Sequence, residues 1–205
     1  MVAETGSIPQ PHEEAMNMRH ILLAVGLCFA TATPSVSTAL TAELPAWEIS
    51  SFYPGNPLKR ATLEGTVIFD GARGRAWLVF ACRADAGAPT VALWIDKATA
   101  ERFPVDDFEG SGGLGENVRL VRVRVDNSGV SRAFFSSGSR QEKGVFEWSF
   151  GPGRDQPARW LKAAGKTLRV QVRNPARTPG VLEAVFILPT QDQLLREVVM
   201  PCLSR

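Results

Sequence analysis

Val118-Arg119-Leu120-Val121-Arg122-Val123-Arg124-Val125-Asp126 is the stretch that settles which kind of fold this chain adopts. Val118 and Leu120 alternate with Arg119, and Val121, Val123 and Val125 then alternate with Arg122 and Arg124. A period of two marks a β-strand with one face buried and the other wet, and a helix would need the period of 3.6. The phase slips by one residue near Leu120. A β-bulge there would keep both apolar sets on one face.

The same period extends outward in both directions. Downstream, Asp126-Asn127-Ser128-Gly129 reads as a turn, followed by strands over Ser131 to Ser136 and Val145 to Phe150. Upstream, Ala61 to Phe69 and Arg75 to Cys82 are β-rich runs joined through Asp70 to Gly74, and Val91 to Ile95 is a short strand. Phe103 to Gly115 reads as a loop, and residues 40–57 as an irregular lead-in rich in turn formers. Two helices are predicted. One runs from Pro157 to Ala164, ahead of Gly165; the other is capped by Thr190, runs to about Met200 and is stopped by Pro201. Between them lie strands over Lys166 to Arg173 and Val181 to Leu188. About eight strands with two minor helices predict a mainly β domain, either an antiparallel β-sandwich or a curved sheet.

The N-terminus follows other rules. Ile21 to Ala32 is an apolar run behind Arg19 and His20, and small residues follow, the pattern of a secretory signal peptide. Ser37 and Ala39 suit a cleavage site, which makes residues 1–39 a leader and residues 40–205 a single periplasmic β-rich domain. Glu4, Glu13 and Glu14 do not suit a basic n-region, so Met16 or Met18 is the expected start of translation. The apolar run is shorter than the ~20 residues of a membrane span, so no stable membrane insertion is expected after cleavage. Losing Arg19 and the three glutamates raises the formal charge from +2 to +4. This mild basicity is too weak to indicate nucleic acid.

Trimming also removes both histidines, His12 and His20, and Cys28. Without imidazole, the usual base of a Ser or Cys nucleophile and the usual zinc, copper or iron ligand are missing. The expectation is a chain with no catalytic residues, cofactor or metal. Cys82 and Cys202 remain, and an even pair in an oxidising compartment predicts a disulfide. Closing so long a loop is worth about 4–5 kcal/mol in the chain-entropy model.

Four further patterns carry possible chemistry. Asp106, Asp107 and Glu109 sit in a Gly-rich loop that could hold a hard cation, without EF-hand spacing, or be a solvated acidic run. Gly110 to Gly115 satisfies G-x-G-x-x-G but lacks the preceding strand and following helix that a dinucleotide site requires. Arg122 and Arg124 on one strand, with Arg169 and Arg173 on another, share the polar face of their strands. As neighbours they would form a basic patch for an anionic partner; otherwise they are an ordinary solvated face. Trp77, Trp94, Trp148 and Trp160 lie within elements and read as core or core edge.

Several segments, taken in order, resemble the VasI/TagO family of type VI secretion-associated periplasmic proteins. They are Leu78-Val79-Phe80-Ala81-Cys82-Arg83, Val121 to Asp126, Phe134-Phe135-Ser136-Ser137, Ala158-Arg159-Trp160-Leu161-Lys162, Leu168 to Val172, Ala184 to Leu188 and the helix leading to Cys202. The chain departs from that pattern in having Phe134 and Phe135 before the serines, and in its long 101–117 loop. The resemblance implies an accessory role in secretion and carries over no catalytic residue. The expected function is therefore a non-catalytic periplasmic accessory or binding protein acting on a protein partner in the periplasm or cell envelope. The alternatives are an inhibitor or immunity protein that plugs a cell-wall hydrolase with residues 103–117, and a carboxylate-dependent hydrolase.

Overall fold

Alternating strands of this kind bury their apolar face by meeting another layer, sheet or helix, or by curling onto themselves. The computed structural model takes the second route. It describes residues 44–56, 58–82, 89–110, 113–114, 120–152 and 155–203, with the side chains of 132 and 134–136 excepted. The strands are β1 (Glu48–Ser51), β2 (Lys59–Phe69), β3 (Ala72–Ala81), β4 (Thr90–Ile95), β5 (Val121–Val125), β6 (Ser131–Arg140), β7 (Phe146–Gly151), β8 (Thr167–Arg173) and β9 (Val181–Ile187). The helices are α1 (Lys97–Arg102), α2 (Gln156–Leu161) and α3 (Gln193–Leu203).

All strand pairs are antiparallel, in the order β1-β2-β3-β4-β7-β6-β5-β8-β9. The sheet curls until its far strand meets its beginning, with Thr66, Val67 and Ile68 of β2 opposite Val185, Ala184 and Glu183 of β9. Gly65 permits that meeting. A Cβ there would lie 2.4 Å from the Phe186 ring and 2.5 Å from the Val185 carbonyl oxygen. The fold is thus mainly antiparallel β with minor helices, and a curled sheet describes it better than a sandwich.

The inward positions fill the curl. Val121, Val123, Leu168, Val170, Val172, Leu182, Ala184 and Phe186 are all buried. Trp148, fully buried, meets Phe146, Phe103 and Phe108 edge-on at centroid distances of 4.7, 5.8 and 5.7 Å. Each such pair adds about 0.5–1.5 kcal/mol beyond the area it buries. The α3 helix packs on β2 and β3, and its Cys202 is bonded to Cys82, just past β3, with Cα atoms 5.9 Å apart. The predicted disulfide is present.

Several expectations change. The lead-in contains β1, which pairs with residues 59–62 of β2, because β9 covers only residues 66–68 of that edge. The 70–74 connection tightens to Asp70-Gly71, both at positive φ (48° and 75°), so the strands pair up to Phe69 and Ala72. This is a two-residue turn whose twist suits a hairpin. A third helix, α1, was not predicted. It is one and a half turns without an apolar stripe, set by Asp96, whose carboxylate accepts the Thr99 N–H at 2.8 Å. The α2 helix ends at Leu161, short of Ala164. Pro201 does not stop α3, which continues to Leu203. So near the helix end the proline removes one backbone bond while the disulfide holds the final turn. The strand from Ser131 extends to Arg140, with a register shift between Phe135 and Ser137. The bulge expected near Leu120 concerns residues 118 and 119, which lie outside the described residues, as do the leader and the Ser111, Gly112 and Gly115 positions of the glycine motif.

Candidate functional site

The strands that carry the four arginines are neighbours. β5 pairs with β8 from Val121↔Val172 to Val125↔Leu168, which sets Arg122 opposite Gln171 and Arg124 opposite Arg169. Directly opposed like charges destabilise an antiparallel pair, so Arg124 against Arg169 is a position the fold would not select for stability. On the other side of β5, Arg132 of β6 holds the register position opposite Arg122. Arg132 went unnoticed in the sequence because one cation in a Ser-rich strand gives no pattern; its place becomes visible only with the pairing.

Arg122, Arg124, Arg169, Gln171 and Val130 surround a small cleft of about 50 Å³. One acid enters this face. Glu183 of β9 accepts from Arg169 Nη1 at 2.8 Å and from Gln171 Nε2 at 2.6 Å. Arg122 and Arg124 have no carboxylate partner among the described residues. Arg173 lies farther along β8, opposite Val181, and does not line the cleft.

The acidic loop is a different case. Phe103, Val105 and Phe108 are core residues, and residues 105–108 form a 3₁₀ turn, so this part of the predicted loop is ordered by burial. Asp106 and Glu109 both pair with Arg140. Asp107 accepts from Arg177 Nε at 3.0 Å and from the buried Asn174 amide at 2.8 Å. Arg177 and Asn174 together hold the Asp107 carboxyl below its ordinary pKa. The carboxylates divide between two arginines, so they neither converge on one point nor stand free in water. Among the described residues no group of three His, Cys, Asp or Glu side chains could hold a metal.

The tryptophans divide as well. Trp148 and Trp160 are buried, whereas Trp77 and Trp94 are half-buried and directly opposite each other on the outer face of β3 and β4. The Arg60 guanidinium lies 4.4 Å from the Phe52 ring centroid and 5.5 Å from that of Trp94. Arg75 lies 5.1 Å from the Trp77 ring centroid and within ion-pair reach of Glu64. These rings are occupied by the protein's own cations.

Comparison with protein-family models, curated proteins and solved structures found no match.

Proposed function

We propose that the chain is a non-catalytic binding or accessory protein of the periplasm, held together by its disulfide and acting by contact with a protein partner. The observation that carries this reading is the β5–β8 face. Two arginines without acidic partners among the described residues stand beside a third, and one pair opposes like charge with like. An anionic partner would relieve that opposition. The disulfide supports an oxidising compartment. The order of segments resembling the VasI/TagO proteins supports an accessory role in type VI secretion. A plugging inhibitor gains no support from residues 103–110, whose apolar members are core.

Placing a photo-crosslinking amino acid at position 124 in cells, with position 73 of β3 as control, tests the reading. A discrete adduct with a cell-envelope protein from 124 and none from 73 is expected. Identical patterns from both positions, or none from either, would refute it.

A further inference from the structure

The turn between β5 and β6 has a second side. Opposite the arginine face it borders a cleft of about 490 Å³ closed by α2. Val125, Val130 and Trp160 line it along with Arg159, Lys162 and Lys166. Trp160 is only 3% exposed and forms a recessed floor, whereas Lys162 and Lys166 are exposed at the rim. None of the three cations has a carboxylate partner among the described residues, and no acid lines the cleft. Of the acids beside it, Asp126 already accepts the Thr167 backbone N–H at 2.8 Å, and Asp155, at the N-cap of α2, makes no ion pair with Arg159.

An apolar floor beneath a one-sign rim selects a ligand with both properties. A membrane surface is too flat to reach a floor recessed between a turn and a helix. A phosphate polymer satisfies the rim and leaves the floor wet. A peptide in which carboxylates flank an apolar side chain supplies both, the apolar side chain for the floor and the carboxylates on either side of it for the rim. We infer that this cleft receives an acidic, apolar-anchored segment of the partner protein, a conclusion that rests on the binding-module reading and names its partner's chemistry. The two basic faces flank one turn, so a single acidic partner can engage both.

The test is fluorescence anisotropy with the full chain, its disulfide intact, and a short labelled peptide in which Leu residues are each flanked by Glu-Glu. Saturable binding is expected, weakened about tenfold by Lys162→Glu or Lys166→Glu and by replacing either the Glu or the Leu residues of the peptide. Arg73→Glu, in β3 beside the β2–β3 turn, should leave binding unchanged. If a charge reversal impairs folding, Lys162→Gln carries the same test with a smaller loss. Affinity unmoved by both lysine changes would overturn the inference, as would tighter binding of inorganic polyphosphate or of phosphatidylglycerol vesicles. If the peptide fails while the adduct at position 124 persists, the cleft is wrong and the binding function stands. If both fail, both fall.

Discussion

Arg60 and Arg75 project from the outer face of β2 and β3; Arg122 and Arg124 project from the outer face of β5, elsewhere on the same curled sheet. Arg60 lies between Phe52 and Trp94, and Arg75 between Trp77 and Glu64. Arg122 and Arg124 meet neither ring nor carboxylate among the described residues, and Arg124 faces Arg169. The first pair contributes to the fold through cation–π contacts, that of Arg60 half-buried and that of Arg75 exposed. The second opposes the fold slightly and stays available to something else. One residue type in one kind of position thus stands in two different surroundings, and what separates them is the set of neighbours.

That contrast predicts unequal responses to mutation. The largest should come from the β3 side, where Cys82→Ser removes the link to α3. A loss of about 4–5 kcal/mol is expected, read as a lower urea midpoint with the thiol of Cys202 becoming alkylatable. Gly65→Ala sharpens the same point, because its Cβ would meet Phe186 and the Val185 carbonyl where the sheet closes. About 1–3 kcal/mol should be lost, with amide exchange rising first along β9.

Asn174→Ala comes next. It leaves Asp107 short of a donor and loses the hydrogen bond that Asn174 Oδ1 accepts from the Ala176 N–H, for about 1–3 kcal/mol in thermal unfolding. Acid should act on the same link. The folded-state pKa of Asp107 is lowered, so its contribution is complete above the ordinary carboxylate range and fades as pH falls through the depressed value. Asp107→Asn should accordingly flatten the acid limb of the stability profile, and an unchanged limb would remove this pair from the account. On the β2 side, Arg60→Ala should cost about 1 kcal/mol through its two ring contacts.

Much of the architecture could be read beforehand because Val121 to Val125 and Leu168 to Val172 alternate without ambiguity. The pairing of Cys82 with Cys202 follows from an even count and an expected oxidising compartment. What escaped depended on neighbours distant in sequence. β1 has no alternation of its own and forms on an uncovered part of β2. Pro201 lies in a final turn held by a covalent bond that a local stop rule does not consider. The acidic loop read as a solvated run or a cation site, and as neither paired nor ordered, because Arg140, Arg177 and Asn174, which engage its carboxylates, arrive from residues 31 to 70 positions away. The arginine face was legible as a pattern on two strands. Its composition was not, since Glu183 enters and Arg173 drops out only with the register of β8 against β5 and β9.

The smallest expected stability change belongs to the most informative variant. Arg122→Glu combined with Arg124→Glu should alter thermal stability by about 0.5 kcal/mol or less, since surface positions without partners seldom matter more. Measuring melting temperature and partner capture on the same preparation, beside Arg60→Ala, tests the division between structural and available arginines. The account predicts a native melting temperature with partner capture lost for the double variant, and a lowered melting temperature with capture kept for Arg60→Ala. Full capture by the double variant would contradict it.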